Sequence, residues 1–207
     1  MKPSGIEWIG EIPEDWDVTP IFIAFKERKC RNYGNTETNL LSLSYGNIIR
    51  KDASDNMGLL PESFEGYNII KKDNIVFRLT DLQNDHVSLR SALVLERGII
   101  TSAYITLENI IELCPRYFSY LFRSYDISKV FYNMGGGVRQ SINFNELRKM
   151  PLVIPSLSEQ HNITDYLDIR CCQIEKVINA KQILIDKLTE YKKSLIYECV
   201  TGKREVV

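Results

Sequence analysis

From Ile163 onward, apolar side chains recur at Leu167, Ile174, Val177, Ile178, Leu184, Ile185, Leu188, Tyr191, Leu195 and Ile196, with polar residues filling most of the gaps. Steps of three, four and seven draw a single stripe along an α-helix. No Pro or Gly breaks the run before Gly202, a suitable stop. Upstream, Ser156 and Glu159 stand at the spacing of a capping box, in which the hydroxyl and the carboxylate each take a free first-turn N–H. Such a helix is predicted over 156–203 and would be roughly 60 Å long. A domain of this size cannot cover that length, so part of the stripe must meet another helix or another chain.

The periodicity before Pro155 is different. Gly5 to Trp16 sets Trp8 and Trp16 among Gly and Pro, an irregular arm pinned by its indoles. Helical spacing is expected around Ile21 to Arg31, while Leu40 to Tyr45 alternates as a strand that ends at Gly46. A turn at Lys72-Asp73-Asn74 precedes a strand at Ile75 to Leu79, and further strands are expected at Ala92 to Leu95 and Ile99 to Leu107. Pro115 to Tyr132 reads as a helix with Tyr117, Leu121 and Tyr125 on one face. After Gly135-Gly136-Gly137 come a short helix at Phe144 to Lys149 and a strand at Leu152 to Ile154. The predicted class is α+β: a mixed, mainly β domain over 1–155, a long helix over 156–203 and a tail at 204–207.

Composition narrows the function. An apolar share of 44% over 207 residues allows a buried core. No run approaches the length of a membrane span, and Met1 to Gly5 lacks the apolar start of a signal peptide. The five cysteines form no C-x-x-C pair and only two histidines are present, which argues against zinc and for reduced thiols in a cytoplasmic protein. Lys and Arg number 26 against 27 Asp and Glu, without the basic excess usual in an autonomous nucleic-acid binder. Any DNA contact must use local clusters or partners that supply the remaining phosphate neutralisation.

Three sets of residues carry a resemblance. Trp8-x-Gly10-x-Ile12-Pro13-x-x-Trp16 resembles the opening of a target-recognition domain in specificity subunits of type I restriction-modification systems. Gly135 to Arg139, Gln140, Ile142 and Leu147, followed by Met150 to Pro155 and Glu159-Gln160, is similar to the junction where that domain enters its conserved helix. Ser194 to Ile196 and Val200 to Lys203 are similar to the end of that helix. A complete subunit of that family carries two recognition domains and two helices, whereas this chain has one of each and resembles a half-subunit. The resemblance implies double-stranded DNA, a second copy of the chain paired through an antiparallel coiled coil, a type I methyltransferase subunit and a restriction/translocase subunit as partners. It also implies no cofactor on this chain, with S-adenosylmethionine, ATP and Mg on the partner subunits.

The motifs of catalysis are missing to match. There is no Asn/Asp-Pro-Pro-aromatic run for methyl transfer, and the glycine triplet lacks the Lys of a phosphate-binding loop. That triplet is either a plain turn or a loop passing close to DNA, with Arg139 and Gln140 available to phosphate or base. The polar stretch Arg78-Leu-Thr80-Asp81-Leu-Gln83-Asn84-Asp85-His86-Val-Ser88-Leu-Arg90 lies between two apolar strands and is expected to project. Arg reads guanine, Asn or Gln reads adenine and Asp accepts from cytosine, so the inventory suits the major groove. The same residues also serve as turn and capping groups, and a metal site at Asp81, Asp85 and His86 lacks a further cluster. Lys26, Arg28, Lys29 and Arg31 are either a solvated helix face or phosphate contacts.

In the tail, the heptad row Leu167, Ile174, Lys181, Leu188 and Leu195 is interrupted at its midpoint. Lys181 either snorkels out of a loose seam or sets register at a cost in stability. The expectation is a non-catalytic DNA-specificity module. The alternative is a coiled-coil regulatory fragment that modulates assembly without reading DNA, and a nuclease or transferase comes third.

Overall fold

A computed structural model describes residues 1–51, 61, 63–83, 89–134 and 141–206. They divide into two compact units, Met1–Asn162 and Ile163–Val207.

The first unit opens with β1 (Lys2–Pro3) and β2 (Glu11–Ile12), which pair antiparallel and close the N-terminal arm. Next come β3 (Asp17–Pro20), α1 (Ile21–Ala24) and β4 (Phe25–Glu27), then the hairpin of β5 (Leu41–Ser44) and β6 (Asn47–Arg50). Its two-residue turn puts Tyr45 at φ 44° and Gly46 at φ 74°, the left-handed pair that matches strand twist. After β7 (Asn68–Ile70), β8 (Ile75–Phe77), β9 (Ser91–Leu93), β10 (Gly98–Ile100) and β11 (Ile105–Asn109), the chain enters α2 (Pro115–Ile127). A short 3₁₀ turn (Val130–Asn133), α3 (Phe144–Leu147) and β12 (Pro151–Ile154) lead to α4 (Leu157–Val200).

The largest sheet is antiparallel, in the order β4-β11-β8-β9. Ile75, Val76 and Phe77 are all buried because β8 is covered on both faces. Val76 packs with Leu41, Leu43, Ile70, Ala92, Val94 and Ile100. Phe77 meets Phe122 of α2 edge-to-face at 4.9 Å and Phe131 at 5.9 Å, while Phe25 of β4 meets Phe118 at 5.2 Å. Thus α2 buries Tyr117 and Tyr125 of the expected Tyr117-Leu121-Tyr125 face, with Phe118 and Phe122 also buried and Leu121 only partly so. It ends at Ile127 rather than Tyr132, since Lys129 turns left-handed before the 3₁₀ turn.

The helix expected over Ile21 to Arg31 does not form. Only Ile21–Ala24 is helical, and Phe25, Lys26 and Glu27 pair with Asn109, Glu108 and Leu107 at the sheet edge. Tertiary pairing overrides local spacing there. The expected long helix does form: α4 has 44 residues, about 66 Å at the standard rise. Among the described residues no helix is long and apolar enough to cross a membrane.

In the second unit, the stripe of α4 is exposed. Ile174, Val177, Ile178, Leu184, Ile185, Leu188 and Tyr191 are each at least half exposed, and Lys181 is exposed at the middle of the row. Leu167 and Leu195 are partly covered.

Candidate nucleic-acid interface

The described ends of the β8–β9 connection and the residues at Ser141–Ile142 are stitched together by backbone hydrogen bonds. The Arg78 N–H donates to the Arg90 carbonyl at 2.8 Å, extending the β8–β9 ladder by one step. One residue on, the Leu79 carbonyl accepts from the Ile142 N–H at 2.9 Å. Leu79 and Leu82 are buried as anchors, so the loop is not simply a polar excursion. Gln83 is exposed, and Arg78, Thr80 and Asp81 are partly exposed, with Asp81 held at φ 59°. This much of the expected base-reading set stands at the surface. Asn84, His86, Arg139 and Gln140 lie outside the described residues.

Arg90 requires a correction. It was expected to project with the loop, but it is fully buried. Its Nη1 donates to the Thr80 carbonyl at 3.2 Å and its Nε to the Tyr132 hydroxyl at 3.3 Å. The guanidinium also lies over the Tyr132 ring, 5.5 Å from its centre. A planar fork with several donors can satisfy two directions at once, which suits Arg to an internal tie. Here it ties the loop after β8 to the 3₁₀ turn that precedes the glycine triplet. Beneath it, Asp126 Oδ2 accepts from the Arg90 N–H at 2.6 Å, the Ser91 N–H at 3.1 Å and the Ser91 hydroxyl at 3.3 Å. Burial pushes the Asp126 carboxyl above its usual range, and those hydrogen bonds pull the other way. Neither Asp126 nor Tyr132 carries a sequence signal of this role.

The junction motifs converge as well. β12 pairs antiparallel with β3, bringing Ile154 opposite Asp17 beside Trp16. The Trp16 indole donates to Glu159 Oε1 at 3.3 Å, while Ser156 and Glu159 form the expected cap of α4. The Ser156 hydroxyl, then the Trp16 indole, holds the Glu159 carboxyl below its usual range. Gln160 is buried; it accepts from the Cys114 N–H at 2.9 Å and donates to the Pro155 carbonyl at 2.9 Å. The start of α4 is therefore bolted to the start of α2. Gln160→Ala should cost about 1–3 kcal/mol by stripping these buried backbone groups, read as a fall in thermal midpoint. A midpoint equal to that of the wild type would deny Gln160 this function.

The basic run falls on strand β4 and beyond. Glu108 of β11 sits against Lys26, Arg28 and Lys71. Hydrogen bonding from Lys71, then from Lys26, with the nearby charge of Arg28, holds its carboxyl below the usual range against the opposing effect of burial. Three cations on one carboxylate leave a local positive excess. Lys29 pairs with Glu27, and Arg31 donates to the Gly66 carbonyl. Among the described residues no group of three or more His, Cys, Asp and Glu could hold a metal ion.

Residues 35–182 match the family model of the type I restriction modification DNA specificity domain. No curated protein matches the chain. Among solved structures, it is similar to a chain from work on complex assembly and conformational transition of the type I R-M system, with TM-score 0.62 and 12% identity over 92% of this chain and 47% of that one. It is also similar to the HsdS subunit from Thermoanaerobacter tengcongensis, with TM-score 0.56 and 12% identity over 92% and 46%. A third is the type I restriction-modification S subunit from M. genitalium, with TM-score 0.50 and 17% identity over 85% and 43%. At such identities the likeness speaks to the fold. The chain spans about half the length of each of these structures.

Proposed function

Since this chain belongs to the type I restriction modification DNA specificity domain family, we propose that it reads a DNA sequence on behalf of catalytic partner subunits and transfers no group itself. The observation that carries this reading is the shared base of the two candidate reading segments, at Leu79–Ile142 and Arg90–Tyr132. It lets exposed polar side chains approach one groove together while the buried Asp126 and Arg90 hold their roots. Base edges specify and phosphates position. Arg78, Thr80, Asp81 and Gln83, with Asn84, His86, Arg139 and Gln140, are proposed for the first task. The Glu108-centred cations serve the second.

The exposed stripe of α4 supports pairing with a second copy. In an antiparallel pair centred on Lys181, Leu167 faces Leu195 of the other chain and Ile174 faces Leu188. Two identical domains then read an inverted repeat, whose half-site centres lie about 34–36 Å apart when both sit on one face of the duplex. A methyltransferase subunit brings S-adenosylmethionine, and a restriction/translocase subunit brings ATP and Mg. Both the pairing and these partners are our proposal.

Methylome sequencing of cells that express this chain with a type I methyltransferase subunit and no second specificity chain tests the reading. The expected motif is two identical half-sites, inverted, with unread bases between them. Gln83→Ala should relax one position per half-site, at about 1–3 kcal/mol of discrimination. A continuous or asymmetric motif would reject the symmetric pair. Methylation by the purified chain alone would reject the non-catalytic assignment.

A further inference from the structure

We propose that the hollow between the Tyr45–Gly46 turn and α2 is a phosphate pocket that grips one backbone phosphate of the duplex, flanking the bases that the loop reads. This rests on the DNA-reading function above.

The hollow has a volume of about 180 Å³, and its polar lining is Asn47, Arg116, Ser119, Tyr120 and Arg123. Among the described residues, no Asp or Glu lines it. Arg116 and Arg123 are seven apart on α2, so both guanidiniums emerge on one face two turns apart. Each is held. Arg123 Nη2 donates to the Gly46 carbonyl at 2.6 Å, which leaves the rest of its fork directed by that tether. Gly46 permits the approach, since a Cβ there would overlap the guanidinium. Arg116 lies over the Tyr120 ring, 5.9 Å from its centre, which orients its plane. Ile48 and Leu93 complete an apolar wall that weakens competition from water. Asp126, whose carboxyl feels the charge of Arg123, is already engaged by the Arg90 and Ser91 donors. Two oriented guanidiniums, a hydroxyl and an amide around a small concavity match a tetrahedral oxyanion.

Position selects the source of that phosphate. Asp126, which holds the root of the reading loop, is ten residues along α2 from Arg116, about 15 Å at the helical rise. That is roughly four base-pair steps along a strand. A duplex that runs along α2 while the loop reads it would bring a flanking phosphate, not a base, to the hollow. The chain carries a net charge of −1, so affinity for phosphate must come from such local sites.

The test is Arg116→Gln in the full chain, with Arg116→Lys alongside it, because Arg116 is exposed and its exchange leaves the Arg123–Gly46 tether in place. Affinity for a mixed-sequence duplex is measured over a range of salt by fluorescence anisotropy. Arg116→Gln should weaken binding about tenfold on every duplex, and reduce the slope of log K against log salt by about 0.9. It should leave the methylated motif unchanged, while Arg116→Lys recovers much of the loss. A wild type that binds duplex and an Arg116→Gln variant that binds it equally would overturn the pocket while sparing the DNA-reading function. A wild type with no affinity for any duplex, either alone or together with a type I methyltransferase subunit, would remove both. If pyrophosphate raises the thermal midpoint of the wild type alone and duplex binding is unaffected, the hollow serves small phosphate compounds and the backbone assignment falls.

Discussion

Single exchanges Ile174→Lys or Leu188→Glu are expected to dissociate the paired chain, and the two together to bring it back. Both side chains are more than half exposed on the isolated helix, and burial against a second copy is what the pair would gain. Each exchange acts twice in a symmetric dimer. At about 1.5–3 kcal/mol per buried aliphatic side chain, either one should weaken association by roughly 10²–10⁴-fold. In the antiparallel arrangement position 174 meets position 188 of the partner, so the double variant sets Lys against Glu at both crossings. A parallel pair would instead set Lys on Lys and Glu on Glu, since like positions then face each other. Sedimentation of the three variants decides between them. A double variant weaker than either single one would exclude the antiparallel pair, and a wild type that sediments as a monomer would exclude pairing by this chain alone.

Arg90→Ala should be the most damaging exchange in the first unit. It strips the Thr80 carbonyl and the Tyr132 hydroxyl of a charged donor and leaves a void beside them. About 3 kcal/mol is the expected loss, or roughly a 10 °C fall in thermal midpoint for a domain of this size. Arg90→Lys should recover part of it, because an ammonium keeps the charge but cannot span both acceptors. The contrast with Gln83→Ala is the informative one: that change should relax the motif at little cost in stability. If Arg90→Ala melts like the wild type and alters the methylated motif, Arg90 reads a base after all.

Much of this architecture is legible in the residue pattern, because its signals are local. The Ser156–Glu159 cap, the uninterrupted run to Val200 and the strand that ends at Gly46 each depend on neighbours a few positions away. What the pattern hides depends on distant partners. Arg90 looks like any polar loop residue, and its inward course is set by Tyr132 and Asp126, some forty residues on. The basic run from Lys26 reads as a helix face until Glu108 of β11 pairs with its first members and makes it a strand edge. Likewise, Arg116 and Arg123 belong to an ordinary amphipathic helix in the sequence. Only the approach of the β5–β6 turn turns that face into a concavity.

The stitch between Leu79 and Ile142 has a use in re-engineering. Replacement sequence inserted after Thr80 and ending before Leu89, with the buried Leu82 anchor retained, leaves untouched the Arg78–Arg90 rung, the Leu79–Ile142 bond and the Arg90–Tyr132 tie. The Thr80 carbonyl that receives Arg90 stays too, since it belongs to the backbone. If the loop reads bases as proposed, those seams would make it an interchangeable cassette. Its ends are fixed by the scaffold, so a transplanted loop of compatible length inherits its aim from the recipient and its base preference from the donor.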